Sequence, residues 1–136
     1  MTAENPPSAA EVVAMMPFAV SLGIELESAS RDEVVGRLAW REELCTTGGL
    51  MHGGVLMSLA DTLGAACAFL NLPPGAGTAT LSSSTNLMRP VRDGVVTGTS
   101  RPLRAGRTVI VVATELRDGA GKLVSHTVQS QAVLGP

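Results

Sequence analysis

Apolar and polar residues alternate in short segments over much of this chain, and one long apolar segment interrupts them. Residues 23–29 and 33–40 alternate around a polar turn at Arg31 and Asp32, which predicts a β-hairpin with one buried face. Four later segments are rich in Val, Thr and Ser and predict strands, at residues 78–90, 94–103, 108–117 and 122–133. Asp-Gly and Ala-Gly turns separate these four strands and predict an antiparallel meander.

The long apolar segment, residues 55–72, follows a His-Gly-Gly sequence and ends before two prolines. A helix formed here is apolar on every side, so it needs cover from a sheet wrapped around it or from a partner chain. Asp61 lies in its middle, where a carboxylate costs about 2.5 to 3.5 kcal/mol in a bilayer, and basic flanks are absent, so a membrane span is disfavoured. The order of elements predicts an α+β domain in which a curved antiparallel sheet wraps a long central helix.

Residues 1–16 predict a leader segment with one short helix. Ser8 is the expected N-cap of a helix over residues 9–16, and Pro17 interrupts it. The segment has neither the basic region nor the apolar region of a secretory signal, which favours the cytoplasm. Residues 1–136 are expected to form a single domain of this kind.

Composition narrows the possible functions. The chain has 136 residues, a net charge of -2 and only 2% aromatic residues, which disfavours nucleic-acid binding through a basic surface or through base stacking. Cys45 and Cys67 form neither a CxxC pair nor a zinc-type spacing, and His52, His126 and Asp61 do not have a metal-ligand spacing. We therefore expect no metal, no disulfide and a reducing compartment. Cys67 is expected to be buried and inert, and a Cys45–His52 nucleophile pair is the weaker alternative.

The start of the long helix offers the first candidate chemistry. Gly53 and Gly54 lie where unpaired N–H groups and the helix dipole can hold a carbonyl oxygen as it becomes an oxyanion. A turn that merely needs glycine is the other interpretation. Asp61, the helix's only charged residue, is expected to be a buried carboxylate that is either catalytic or satisfied by a hydroxyl such as that of Ser58 or Thr62.

Gly53 and Asp61 are too far apart to act on one carbonyl within a single chain. They are eight residues apart on the same helix, roughly 12 Å along its axis at 1.5 Å per residue. If both act on one substrate, they come from different subunits whose helices run antiparallel. This predicts a dimer with two composite sites.

Three segments together carry a family resemblance. The run G-x-x-H-G-G-x-x-x-x-L-A-D-T at residues 49–62, the Leu-Met-Arg-Pro at residues 87–90 and the Arg-Ala-Gly-Arg-Thr at residues 104–108 resemble hotdog-fold acyl-CoA thioesterases. The similar group is the PaaI-like, phenylacetate-pathway group of the 4-hydroxybenzoyl-CoA thioesterase superfamily. The resemblance extends over about residues 20 to 133 and implies the hotdog fold.

The resemblance implies hydrolysis of an acyl-CoA to a free acid and CoA, with CoA as part of the substrate and no cofactor. Gly53 would be the oxyanion donor, and Asp61 of the facing subunit would be a general base or a nucleophile. His52 would shape the helix start, with contact to the thioester as a further role; a capping or core histidine is the alternative. Thr46 stands where the family often has Asn. The implied assembly is a tetramer of two dimers.

Further candidates would contact the substrate. Gly54 and Thr62 belong to the same motif, and Thr80 aligns with a hydroxyl that helps to place the attacking water in some members; a plain strand threonine is the other interpretation. CoA phosphates need cations, and half of the chain's ten Lys and Arg residues lie between Arg89 and Arg107. The candidate phosphate ligands are Arg89, Arg104 and Arg107, which one chain cannot bring to a single phosphate because an extended strand separates them.

Other functions explain fewer of these features. A non-catalytic acyl-CoA sensor of the same fold is the main alternative, although it has no need of a costly carboxylate at Asp61. An α/β-hydrolase is excluded by the short chain and the absence of a G-x-S-x-G elbow. A purely structural oligomerisation domain leaves the glycine turn at Gly53 and the carboxylate unexplained.

Overall fold

A computed structural model describes residues 5–135 and contains three α-helices and six strands within that range. The first four residues of the expected leader segment lie outside the described residues. Two short 3-10 turns, Glu42–Leu44 and Thr47–Gly49, precede the third helix. The elements in chain order are α1 (Ala9–Ala14), α2 (Pro17–Leu22), β1 (Glu25–Ala29), β2 (Val34–Ala39), α3 (Gly53–Phe69), β3 (Gly77–Leu87), β4 (Val95–Ala105), β5 (Val109–Arg117) and β6 (Leu123–Leu134).

The six strands form one antiparallel sheet in the order β1-β2-β4-β5-β6-β3. The predicted meander is therefore correct for β4, β5 and β6 and wrong for β3, which pairs with β6 instead of β4. The reason is the long helix: α3 carries the chain across the sheet, so β3 lies at the opposite edge from β1. This leaves β3 as an edge strand of 11 residues.

The central helix α3 contacts all six strands, as the hotdog arrangement requires. Leu59 and Leu63 are completely buried in the resulting core. Leu63 packs against the bare backbone of two strands, because a Cβ at either Gly36 or Gly98 would overlap its side chain. Glycine at these two positions lets the sheet approach the helix closely.

The helix expected within residues 9–16 is present as α1, and a second short helix that the sequence analysis did not predict, α2, follows it. Ser8 caps α1 as expected: its hydroxyl accepts from the Glu11 N–H, and the Glu11 carboxylate accepts from the Ser8 N–H. Pro17 ends the first helix and begins the second, because proline suits the first position of a helix. No helix in residues 5–135 is long and apolar enough to cross a membrane.

Candidate active site

The start of α3 leaves one backbone donor free. His52 is the N-cap residue, and its Nδ1 accepts from the Gly54 N–H at 2.8 Å. Within residues 5–135, the Gly53 N–H has no hydrogen-bond partner. The Gly53 N–H is therefore free to donate to a bound group, whereas Gly54, predicted to bind substrate, uses its N–H for the cap. The capping interpretation of His52 is confirmed.

A cavity of about 290 Å³ lies beside this free donor. It brings Gly53 together with two other predicted residues, Thr46 and Arg89. Its remaining walls are formed by Leu50, Met51, Leu56, Leu87, Met88 and Pro90. The cavity therefore combines a hydroxyl, a cation and a free N–H in a largely apolar surrounding.

Asp61 is exposed in this chain, so the expectation of a buried carboxylate is wrong. Its Oδ1 accepts from the Gln129 Nε2 at 2.9 Å and from the Thr80 hydroxyl at 3.4 Å. The hydroxyls expected to satisfy it do not do so. Ser58 donates to the Gly54 carbonyl instead. Thr62 is buried, so the predicted contact between Thr62 and the substrate is not possible in this chain.

Two buried glutamines on β6 support this carboxylate, and sequence analysis missed both. Gln129 and Gln131 are each only 1% exposed. The Gln131 Nε2 donates to the Thr80 hydroxyl oxygen at 2.8 Å, and Thr80 in turn donates to Asp61. The signal in the sequence was the spacing: Gln129 and Gln131 are two residues apart, so their side chains lie on the same face of β6 as the buried Thr127.

An apolar cavity of about 220 Å³ lies one helical turn beyond Asp61. Ala65 and Phe69 contribute the α3 side of the cavity, and Thr78 contributes from β3. The remaining walls come from Val12, Met15, Met16 and Ala66. An apolar group held here would be close to the carboxylate.

The predicted phosphate ligands occupy two separate places. Arg89 lines the cavity beside Gly53, whereas Arg104 and Arg107 line a separate cavity of about 270 Å³ at the β4–β5 turn. Within residues 5–135, none of these three arginines has an acidic partner, whereas Arg101 pairs with Glu33. Their charges are therefore free for an anionic ligand.

The cysteines do not form the alternative nucleophile. Cys67 is buried as expected, and burial raises the pKa of its thiol to about 11, which disfavours the reactive thiolate. The Cys45 Sγ contacts the Arg41 carbonyl at 3.5 Å, and the His52 Nδ1 is occupied by the helix cap. The described residues contain no group of three His, Cys, Asp or Glu side chains that could hold a metal ion.

Comparison with known proteins identifies the family. The sequence profile of the thioesterase superfamily matches residues 48–125, which include α3 and the strands β3, β4 and β5. This chain belongs to the thioesterase superfamily. A thioesterase from Haemophilus influenzae superposes with a TM-score of 0.90 at 26% identity, covering 99% of this chain and 96% of that one. The expected hotdog fold is thereby confirmed.

Two other matches have higher sequence identity. A conserved protein from Pseudomonas aeruginosa is 32% identical with a TM-score of 0.86, covering 93% of this chain and 99% of that one. A protein of Saccharolobus solfataricus with a provisional esterase name is 31% identical over 113 residues, or 83% of this chain and 80% of its own length. Membership of this superfamily supports thioester hydrolysis in general.

Proposed function

We propose that this thioesterase hydrolyses an acyl-CoA to a carboxylic acid and CoA, at a site made by Gly53 of one subunit and Asp61 of another. The observation that carries the proposal is that each group is free for chemistry on its own chain. The Gly53 N–H has no partner within residues 5–135, and the exposed Asp61 is bonded through one oxygen only. Their separation on α3, roughly 12 Å, requires two chains.

The edge of the sheet supports a second copy of this chain as the partner. Within residues 5–135, β3 pairs on one side only, so its other edge presents unpaired N–H and C=O groups. Leu81 on this strand is 62% exposed, Leu87 is 47% exposed, and Met57 on α3 is 44% exposed. Apolar side chains beside a free strand edge favour burial against another chain. From the family resemblance we further propose a tetramer of two dimers in the cytoplasm.

The chemistry follows from the two groups. The Gly53 N–H would donate to the thioester oxygen, and the donation strengthens as that oxygen becomes an anion. Asp61 would take a proton from water, whose oxygen forms the new C–O bond; collapse of the tetrahedral intermediate breaks the C–S bond, and the thiolate receives the proton. Direct attack by Asp61 would break the C–S bond, expel the CoA thiolate and give an anhydride; water then hydrolyses the anhydride to the free acid and the Asp61 carboxylate, and the thiolate receives a proton from that water. Both routes consume one water for each thioester.

The surrounding cavities favour particular parts of the substrate. Arg104 and Arg107 supply unpaired guanidinium groups for the CoA phosphates. The cavity beyond Asp61 is lined mainly by apolar side chains and contains no charged residue, so it favours an uncharged aliphatic or aryl acyl group. Thr46 and Arg89 lie beside Gly53, where they can contact the thioester or the pantetheine arm.

The test is thiol release from a panel of aliphatic and aryl acyl-CoAs, together with one acyl-pantetheine that lacks the nucleotide. We expect turnover of apolar acyl-CoAs and a raised KM for the acyl-pantetheine, because it cannot use Arg104 and Arg107. Binding of a non-hydrolysable acyl-CoA analogue is measured on the same samples. Tight binding of the analogue without thiol release from any panel member would contradict hydrolysis and favour the sensor.

A further inference from the structure

We propose that Gln129 is a positioning residue that holds Oδ1 of Asp61, so that Oδ2 is the oxygen that reacts. This inference rests on the proposed function and concerns the orientation of its carboxylate. Gln129 lies on β6, and its side chain packs against Gly64 of α3. The residue is 1% exposed, so it cannot itself contact the substrate. It would act only through Asp61.

The two oxygens of the carboxylate have different surroundings. Oδ1 accepts from the Gln129 Nε2 at 2.9 Å and from the Thr80 hydroxyl at 3.4 Å. No group within residues 5–135 donates to Oδ2. Turning the carboxylate away would leave a buried amide N–H without an acceptor, which is unfavourable. The exposed carboxylate is thereby held in one orientation with its second oxygen free.

The Thr80 donor is itself fixed in direction. The Gln131 Nε2 donates to the Thr80 oxygen at 2.8 Å, which leaves the Thr80 hydroxyl hydrogen to point toward Asp61. A glutamine has donors and an acceptor on one rigid amide, so a buried amide constrains its neighbours strongly. The two glutamines thus support the same oxygen, Gln129 directly and Gln131 through Thr80.

Core stability alone does not explain an amide at position 129. The Gln129 Oε1 is buried and has no hydrogen-bond partner within the described residues, which is a cost that an apolar side chain of similar size would avoid. The amide also requires glycine at position 64, because a Cβ there would overlap it. Glycine within a helix is itself destabilising. The bond to Asp61 is the compensating gain.

The test compares wild type with Gln129→Met, which keeps the length of the side chain and removes the donor. Both are also compared in an Asp61→Asn background. We expect kcat to fall about 10-fold to 100-fold, as for misplacement of a catalytic group by about 1 Å, and KM to stay within about twofold, because substrate contacts are unchanged. In an Asp61→Asn background the same substitution is expected to change kcat by less than about twofold, since its effect acts through Asp61. Thiol release from the best panel substrate measures all four proteins.

The matched control is Thr127→Val, a buried position on the same face of β6 that bonds to Thr85. It should leave kcat unchanged.

If Gln129→Met does not fold, Gly64→Ala removes the bond from the other side by displacing the amide, and the same fall in kcat is expected. An unchanged kcat in the folded variant, or an equal loss with and without Asp61, would overturn the inference. Failure of the proposed function gives a different result: wild type would release no thiol, or Asp61→Asn would keep the wild-type kcat.

Discussion

Asp61→Asn is expected to lower kcat about 100-fold to 10,000-fold, the range for loss of a general acid-base group. The asparagine carbonyl can still accept from Gln129 and Thr80, so the side chain keeps its place and loses only its basicity and nucleophilicity. Binding of a non-hydrolysable acyl-CoA analogue should therefore change by less than about threefold. The measurements are thiol release for kcat and calorimetry for analogue binding.

The control for loss of one negative charge is Glu27→Gln, an exposed carboxylate on β1 that pairs with Arg37 on the sheet. This variant should keep the wild-type kcat, because surface pairs of this kind contribute little. Retention of more than about a tenth of kcat by folded Asp61→Asn would exclude it as the catalytic carboxylate.

Gly53→Pro is expected to lower kcat about 100-fold to 1,000-fold relative to Gly53→Ala, because only the proline removes the N–H proposed to bind the oxyanion. Proline is tolerated here for two reasons. Gly53 is the first residue of α3, and His52 has φ -60° and ψ 133°, a conformation that suits the residue before proline. Steady-state thiol release compares the two variants.

Gly53→Ala is the matched control because both substitutions add a Cβ that approaches the Leu87 side chain. The alanine variant therefore measures the steric effect, and the difference between the two measures the N–H. Circular dichroism and Tm check that α3 is intact in both. Equal kcat values for the alanine and proline variants would show that the Gly53 N–H does not stabilise the transition state.

Much of the fold could be predicted from local sequence patterns. Period-two alternation and Gly-containing turns gave β5, predicted at 108–117, within one residue of Val109–Arg117. The apolar segment after His52 gave α3 as a covered central helix, and the Ser8 cap was also correct. These features are decided by neighbouring residues, through periodicity, capping and turn chemistry.

Features that depend on distant parts of the chain could not be predicted in this way. The pairing of β3 with β6 depends on where α3 returns the chain, and nothing within residues 78–90 encodes that edge. The surroundings of Asp61 depend on Gln129, 68 residues later in the chain. Sequence spacing therefore placed the carboxylate on the helix, whereas its exposure and its partners were fixed by tertiary structure.

The most direct test of a site shared between subunits is co-expression of Asp61→Asn and Gly53→Pro chains in equal amounts. With random pairing, half of the dimers are mixed and each mixed dimer has one intact site, so about a quarter of wild-type activity is expected. Two affinity tags confirm that mixed oligomers form. Activity no higher than that of the separate variants, in oligomers shown to be mixed, would contradict the shared site.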